Sequence, residues 1–489
     1  MTIGSRSSIA RPVLGVAPLA GDRVLTAALV ILGAIFYLVP VAPIYILALA
    51  LVAVGIWVRP IAGLTLVVFF VPYFMEPKNM ASEQFPPAEI FLALTAAIVV
   101  LKGAGGLPLN LRAILRSQFA FPAALFLLAS VISTAAAAEI HLAERYWRWE
   151  ILEPLVFFGL LLALQPDERQ WRQLLGAVIA AGLVVSVIGL WQFGAHQDLT
   201  TVPGSSLERI HSVFGSPDNL GLLLDRAVPI WLAASLFPPA DNRGRVFLWL
   251  AGIPLLAALA LTFSRGAWAA VGVAALVLIA LRFRRGRLTA LVALLVVVAA
   301  GAVAGPTLYH AFSIGHSQTA ERRVYIWRSA ARMIRDHPIL GIGLDNFQHY
   351  YAPSHFRWGE KVFKAHAGCD FGLNYIDNAH ASQEPCLSHP HNEFLDFWLS
   401  TGILGLIAFV WLEIAFWESF LRLWTRTRDD PLLLGVAGAM IATLLHGLVD
   451  NSYFLPDLAI LFWLLLGYVA WRYLRSRTSA AGAEEPARL

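Results

Sequence analysis

The chain has 489 residues, of which 58% are hydrophobic and only 14% are charged, and its formal net charge is +4 at pH 7. Soluble domains contain about 45–50% apolar and about 25% charged residues, so this composition excludes a large soluble enzyme. A mean hydropathy of +0.67 is instead typical of a polytopic membrane protein.

Long apolar runs recur along the chain, and a run of roughly 17–25 residues crosses a bilayer as a helix. The pattern predicts an all-α polytopic membrane protein with about 12–14 transmembrane helices, of which the first are short and interrupted by prolines. The predicted spans are 24–41, 43–58, 60–75, 87–102, 119–137, 150–164, 173–194, 219–237, 246–263, 266–282, 287–308, 393–418, 431–449 and 456–474.

The basic residues gather at the ends of these spans. With the N-terminus in the cytoplasm, every cluster falls on the same side, and the positive-inside rule makes that side the cytoplasm. The clusters are Arg112 with Arg116, Arg243 with Arg245, Arg282–Arg287, Arg422–Arg428 and Arg472–Arg477. The positive charge is therefore a topology signal, and we expect no nucleic-acid partner.

This orientation divides the chain into five parts. They are a cytoplasmic N-terminus at 1–23, a transmembrane bundle at 24–308, an extracytoplasmic loop domain at 309–392, C-terminal transmembrane helices at 393–474 and a cytoplasmic tail at 475–489. The loop, of about 80 residues, is too long for a mere connector. It holds both cysteines, Cys369 and Cys386, which predict a disulfide, with two unpaired thiols as the alternative.

Apolar residues at spacings of three and four predict a helix over 321–335 in this loop, with arginines on its other faces. A cationic amphipathic helix can lie at a membrane surface with its arginines near lipid phosphates. It can equally present a solvated face on a cap domain. Both interpretations stay open at this point.

Three segments place polar side chains at the extracytoplasmic ends of spans. They contain Arg209 with His211, Arg265, and His391 with Asn392. Polar groups at a membrane boundary are costly unless they face protein or water, so these residues are functional candidates. Arg265 separates two apolar stretches and has no acidic neighbour in the sequence, and the natural ligand of a guanidinium is a phosphate or a carboxylate.

Each of these residues also has a structural explanation. Arg265 can extend to lipid headgroups, Arg209 can pair with Glu208, and His391 can cap a helix. Arg148 is predicted on the same side, where it either completes a site or pairs with nearby glutamates.

Two further features concern titratable residues. His446 and Asp450 are four residues apart on one helix face, which favours a structural network over a proton relay. The sequence has no H-E-x-x-H, P-loop or G-x-G-x-x-G motif, so we expect no metal and no cofactor. A cluster of His366, His380, His389 and His391 is the remaining metal alternative, although its spacing is irregular.

The polar segments together resemble the O-antigen ligase/polymerase superfamily of bacterial membrane glycosyltransferases. The resemblance covers roughly residues 200–420, and Asp218 departs from it because the sequence has Pro-Asp-Asn where Pro-Asn is more usual. The matching features are Arg209 with Phe214–Asn219, Ser264-Arg265-Gly266, Arg323-x-x-x-Trp327, His337-Pro338-x-x-Gly341-x-Gly343, and His391-Asn392 followed by Gly402-x-x-Gly405.

The resemblance implies a GT-C-like fold and an enzyme that transfers a glycan from undecaprenyl diphosphate without a metal. It implies that Arg209 and Arg265 bind the donor diphosphate and that His391 acts near the acceptor hydroxyl. The residues predicted to support them are Asn392, His211, Arg148, Arg323 and Trp327. The expected location is the bacterial inner membrane, with the active face in the periplasm.

Several alternatives remain at this stage. The acceptor is lipid A-core, another lipid-linked glycan or a protein, so the enzyme is a ligase, a polymerase or a protein O-oligosaccharyltransferase. A membrane transporter of a small anion such as bicarbonate is the alternative outside this chemistry. A transporter, however, places its charged residues near the bilayer midplane, whereas these arginines lie at one face.

Overall fold

A computed structural model describes residues 21–80, 83–201, 207–237, 242–283, 317–351, 355–358, 361–364 and 387–484. It is 78% helical with almost no sheet, so the protein is an all-α polytopic membrane protein. Within the described ranges, seven helices are long and apolar enough to cross a membrane, and five shorter apolar helices accompany them.

The helices are α1 (Gly21–Leu38), α2 (Ala42–Val58), α3 (Pro60–Phe70), α4 (Pro87–Ala104), α5 (Leu111–Arg116), α6 (Ala120–Ala135), α7 (Ile140–Trp147), α8 (Glu153–Leu164), α9 (Glu168–Ala195), α10 (Pro217–Leu236), α11 (Asn242–Leu261), α12 (Arg265–Arg282), α13 (Ser317–Asp336), α14 (Phe347–Tyr351), α15 (Glu393–Arg426), α16 (Pro431–Gly447) and α17 (Pro456–Glu484). A 3₁₀ turn (Val71–Tyr73) follows α3, and a π-helical turn (Arg148–Leu152) precedes α8. Three two-stranded antiparallel hairpins pair β1 (Lys78–Met80) with β2 (Glu83–Phe85), β3 (Thr200–Thr201) with β4 (Glu208–Arg209) and β5 (His355–Trp358) with β6 (Lys361–Lys364).

The predicted spans and the observed helices agree closely in the described ranges. The two largest differences are at C-terminal ends: α15 continues to Arg426 and α17 to Glu484, beyond the predicted ends of their spans. Both extensions are rich in residues with good helix propensity, such as leucine, arginine and alanine, and contain no proline. The span predicted at 287–308 and both cysteines, Cys369 and Cys386, lie outside the described residues.

Helix α10 lies at the centre of one half of the bundle. It packs against α9, α11, α12 and α16, and most of its side chains are buried. Helix α15 packs against α6 and α17. The ring of Phe397 contacts Phe126 of α6 with centroids 5.6 Å apart, and Phe409 contacts Phe462 of α17 with centroids 6.1 Å apart. These contacts hold the start of α15 beside the end of α16, which is where the candidate site lies.

Two glycines let the turn after α13 dock onto α15. Gly341 has a φ of +70°, and a Cβ there would lie 2.2 Å from the Leu399 carbonyl oxygen. Gly402 has a φ of +71° and kinks α15, and a Cβ there would lie 2.3 Å from the Ile339 carbonyl oxygen. A side chain at either position would both strain the backbone and collide, so the two glycine motifs of the sequence serve one contact.

Candidate active site

His391 lies just before the first turn of α15, in a strained backbone conformation. Its φ is +50°, in the left-handed region that residues with a side chain seldom adopt. Asn392 caps α15 by accepting a hydrogen bond from the Leu395 amide at 3.0 Å. The Asn392 side-chain amide also donates to the Leu448 carbonyl at 2.9 Å. Asn392 thus ties the His391 segment to the loop that follows α16.

That loop supplies a partner for His391. The Nδ1 atom of His391 lies 2.9 Å from Oδ1 of Asp450, and Asp450 is only 4% exposed. The other oxygen of Asp450 lies 3.9 Å from the guanidinium of Arg323 and 3.9 Å from Nε2 of His446. One buried carboxylate therefore faces a guanidinium and two imidazoles.

The environment fixes the charge of this carboxylate. Burial alone would raise the pKa of Asp450, but the facing imidazoles of His391 and His446 hold that pKa well below its ordinary range. An ionised carboxylate can only accept hydrogen bonds. In neutral His391, Nδ1 therefore carries the proton shared with Asp450, and Nε2 keeps a free lone pair.

His389 contacts His391 but has a different character. Their ring centroids are 4.4 Å apart, and Nδ1 of His389 accepts a hydrogen bond from the His391 amide at 3.3 Å. Burial, followed by the neighbouring His391 and Arg323, lowers the pKa of His389 to about 3. His389 is consequently neutral at physiological pH, and its ring packs against the ring of His391.

The network continues into the bundle. His446 of α16 is 1% exposed, and its Nδ1 lies 2.6 Å from Oδ2 of Asp225 on α10, which is fully buried. His446 thus bridges two aspartates, with Asp225 on one ring nitrogen and Asp450 on the side of the other. Asp225 and His446 thus position Asp450 from the side of α10 and α16, and His391 contacts it from the start of α15.

Helix α13 contacts the site through two side chains. Its Arg323 reaches Asp450, and the indole of Trp327 donates to the His391 backbone carbonyl at 3.3 Å. The spacing of four residues puts both side chains on one face of the helix. Both predicted supporting residues of this helix therefore lie at the His391–Asp450 pair.

Arg209 belongs to β4, which packs on the turn between α11 and α12. Its Nε donates to the Thr262 carbonyl at 2.6 Å, and its terminal nitrogen lies 3.0 Å from Oδ1 of Asp218. The next residue, Ile210, donates its backbone amide to Leu261 at 3.2 Å. Arg209 therefore does not pair with Glu208, and its side chain is held against the turn that carries Arg265.

Arg265 is the first residue of α12. It is exposed, and among the described residues its guanidinium makes no hydrogen bond or ion pair. The following Gly266 contacts His446, because a Cβ at Gly266 would lie 2.5 Å from His446 Nε2. Arg265 is thus separated from the Asp450 network by one glycine and one histidine, and it is available for an anionic ligand.

Two predicted supporting residues are bound elsewhere. His211 contacts the Phe214 carbonyl at 2.6 Å and Asp198 at 3.4 Å, so it stabilises its own loop. Arg148 pairs with Glu89 at 3.0 Å and lies 3.7 Å from Glu153. Neither of these contacts involves a residue of the His391–Asp450 network.

Residues 246–410 match the family model described as O-Antigen ligase. This segment of the chain is similar to an O-antigen ligase domain. This match supports the O-antigen ligase/polymerase superfamily and, in general terms, a glycosyltransferase of the ligase/polymerase type. No curated protein matches the chain. The membrane helices and this family together indicate a multi-pass membrane protein that acts on lipid-linked glycans.

The matched segment contains only part of the site. Arg265, Arg323, Trp327 and His391 lie inside the matched segment. Arg209 precedes the segment, and Asp450, like its neighbour His446, follows it. The loop after α16, outside the matched segment, therefore contributes the carboxylate that orients the histidine.

Asp450 is the site residue that the sequence did not assign to the site. The only signal was its spacing of four residues from His446, which we interpreted as structural. Hydropathy could not reveal that the loop after α16 folds back onto the start of α15. The contact joins residues 59 positions apart.

Three residues of the site are candidate metal ligands. Among the described residues, one nitrogen each of His389 and His391 and one oxygen of Asp450 lie within 4.8 Å of one another. The donor types would suit Zn²⁺. Asp450, however, already faces Arg323 and His446, which supply compensating positive charge and hydrogen-bond capacity. The contacts fit a hydrogen-bonded pair better than a metal site. His366 and His380 lie outside the described residues.

Proposed function

We propose that this protein is a metal-independent inverting glycosyltransferase. It moves a glycan from an undecaprenyl-diphosphate-linked donor to an acceptor hydroxyl on the extracytoplasmic side of the bacterial inner membrane. The observation that carries the proposal is the 2.9 Å contact between His391 and the buried Asp450. Arg265 at the start of α12 and Arg209 on β4 meet at the turn before α12, whose Gly266 contacts the network through His446. His391 is the general base, and Arg209 and Arg265 bind the donor diphosphate.

In the proposed reaction, the acceptor oxygen attacks the anomeric carbon of the donor glycan. The new carbon–oxygen bond forms as the bond to the diphosphate oxygen breaks, which inverts the anomeric configuration. The hydroxyl proton moves to Nε2 of His391. Asp450 then stabilises the imidazolium through Nδ1, and such general-base assistance contributes about 10²–10⁴-fold to a rate.

The leaving group takes the electron pair of the broken bond. A lipid diphosphate gains negative charge in the transition state, and fixed cations nearby lower the energy of that state. Arg265 offers a guanidinium without a described partner, and Arg209 is held beside it by Thr262 and Asp218. Two guanidiniums can thus take the role that a divalent cation has in other enzymes of phosphate chemistry.

The positions of other arginines support the proposed orientation. The site gathers the N-terminal ends of α10, α12 and α15 and the C-terminal end of α16. Arg426 ends α15, and Arg282 ends α12, so both lie at the opposite end of their helices. The positive-inside rule places that opposite end in the cytoplasm. The five-part division of the chain rests on the same orientation, whereas the proposed GT-C-like architecture rests on the resemblance to the O-antigen ligase/polymerase superfamily.

The first test is transfer by purified protein supplied with a lipid diphosphate-linked glycan and, separately, with lipid A-core, lipid-linked glycan and protein acceptors. His391→Ala is expected to abolish transfer to every acceptor because the lowered pKa values of Asp450 and His389 make both groups poor bases. The matched control is His141→Ala, since His141 is exposed and contacts only Glu144 among the described residues. Wild-type activity of His391→Ala would contradict the proposed role of His391 as the general base.

The second test concerns the donor. Arg265→Gln is expected to weaken binding of the lipid diphosphate and to slow transfer, while His391→Ala leaves donor binding intact. Binding of a non-hydrolysable lipid diphosphate separates the two roles. If Arg265→Gln binds the donor like the wild type, the diphosphate assignment of Arg265 is wrong, whatever happens to His391.

A further inference from the structure

Helix α13 presents three arginines on one outward face. Arg328, Arg332 and Arg335 follow one another at spacings of four and three residues, and all three are exposed. The other side of the helix is buried against α15, for example through Met333 and Leu399. The apolar side of this amphipathic helix is therefore covered by protein, and its arginine stripe, defined as these three residues, faces outward.

The turn after α13 joins the lipid-facing surface of α15. The carbonyl of Ile339 accepts a hydrogen bond from the Ile403 amide at 3.1 Å, yet the Ile339 residue is 65% exposed. Leu340 is 42% exposed, and Leu404 and Ile407 continue this apolar exposure along the transmembrane helix. An exposed apolar patch that is continuous with a membrane span indicates that the turn lies at the level of the bilayer.

The direction of α13 determines the depth of each arginine relative to the membrane. The helix runs beside the first turns of α15, from Trp327 at His391 to the turn at Ile339. The helix ends at Asp336, just before this turn, so at about 1.5 Å per residue Arg335 lies roughly 2 Å, Arg332 roughly 6 Å and Arg328 roughly 12 Å along the helix axis from its end. The headgroup layer of one leaflet is about 5–8 Å thick. Arg335 and Arg332 therefore fall at the depth of lipid phosphates, and Arg328 beyond it.

We propose that the arginine stripe binds the phosphate groups of anionic lipids in the leaflet at the site end of the bundle. Guanidiniums bind phosphate oxygens through two parallel hydrogen bonds, and the matching partner at this depth is a lipid headgroup. Binding holds α13 against the membrane, and with it Arg323 and Trp327 at Asp450 and His391. The surface and its ligand do not depend on whether His391 is catalytic.

The experiment uses the full chain in nanodiscs of phosphatidylcholine alone or with increasing fractions of phosphatidylglycerol. Amide hydrogen exchange over 328–342 reports whether α13 is bound to the membrane surface. We expect exchange to slow as phosphatidylglycerol increases. The apparent affinity for phosphatidylglycerol, read from this titration, should fall by about fivefold for each arginine replaced in Arg332→Gln/Arg335→Gln. It should fall less in Arg328→Gln. High salt should remove the protection, because screening weakens exposed charges.

Two further variants keep the test decisive. Arg426→Gln/Arg428→Gln removes the same charge from exposed positions at the opposite end, and it should behave like the wild type. Arg332→Lys/Arg335→Lys keeps the charge and should retain most of the protection even if the glutamine pair misfolds.

Three results would overturn the proposal. The first is equal exchange of the wild type in both lipid compositions. The second is equal loss of protection in the control pair at the opposite end. The third is full protection by inorganic phosphate in phosphatidylcholine nanodiscs, which would mean that the stripe binds phosphate from solution and not a lipid.

Discussion

At the scale of single residues, the site depends on one carboxylate. Asp450 fixes the tautomer of His391, faces Arg323 and meets His446, while only 4% of it is exposed. A buried charge is tolerated when several partners compensate it, and here three partners do so. The functional consequence is that neutral His391 carries its proton on Nδ1, so that Nε2 is the nitrogen that can accept a proton.

Asp450→Asn tests this role. The substitution keeps the shape but removes the negative charge that stabilises the imidazolium after proton transfer. We expect kcat to fall by about 10²–10⁴-fold, while KM for the donor changes little. The measurement is steady-state transfer by purified protein.

The matched control for this substitution is Asp198→Asn, because Asp198 also faces a histidine, at 3.4 Å from His211, but is 71% exposed. The control should retain wild-type turnover. A normal kcat with a raised KM in Asp450→Asn would contradict the orienting role and indicate a binding role.

At the scale of secondary-structure elements, the turn between α11 and α12 connects the two halves of the site. Phe263 has a φ of +48° and reverses the chain, so that Thr262 meets Arg209 before the turn and Gly266 meets His446 after it. The arginines and the histidine network are thus positioned by the same five residues. A small change in this turn should disturb both.

Gly266→Ala tests the contact between α12 and α16. The added Cβ would lie 2.5 Å from His446 Nε2, and His446 cannot easily move because Asp225 holds its other nitrogen. Overpacking of this kind costs about 1–3 kcal/mol, and we expect lower thermal stability together with reduced transfer. Gly272→Ala on the same helix is the control, since nothing lies within 4 Å of its added Cβ. Equal behaviour of the two variants would mean that the contact is unimportant.

At the scale of the whole molecule, buried carboxyls lie where the loop segment docks on the bundle. Asp345 follows the glycine turn after α13 and accepts a hydrogen bond from the Tyr146 hydroxyl, with Glu150 and Asp396 nearby. Burial raises the pKa of Asp345 from 3.8 to about 7. The neighbouring Asn346 accepts a hydrogen bond from the Glu139 amide at 2.8 Å, so the docking continues through neutral groups.

This raised pKa predicts a pH-dependent stability. The folded state binds a proton at Asp345 that the unfolded chain releases, so stability falls as pH rises from about 4 to about 7 and then levels off. Relative to Asp345→Asn, the wild type should therefore lose several degrees of Tm between pH 5 and pH 8. The readout is the Tm of both proteins in detergent across this range. Asp429→Asn, at an 82% exposed side chain, should follow the wild type, and a parallel course of wild type and Asp345→Asn would refute the assignment.

The sequence alone determined the class of the protein, most of its helices and the residue types of the site. Membrane spans are visible in one dimension because hydrocarbon selects apolar residues along a continuous run. Arg265 and His391 stood out for the same reason, since charged and titratable groups are costly at such boundaries. The two glycine motifs were also visible in the sequence. That they form one contact, between the turn after α13 and helix α15, was not.

Only the tertiary structure decided which charges meet. Asp450 joined His391 across 59 positions, and Arg323 came from a different helix, whereas Arg148 and His211 found partners outside the network. Electrostatic pairing depends on distance in space, and hydropathy carries no information about which helix ends are neighbours. The sequence therefore supplied the chemistry of the site, and the packing of α10, α12, α15 and α16 selected the residues that perform it.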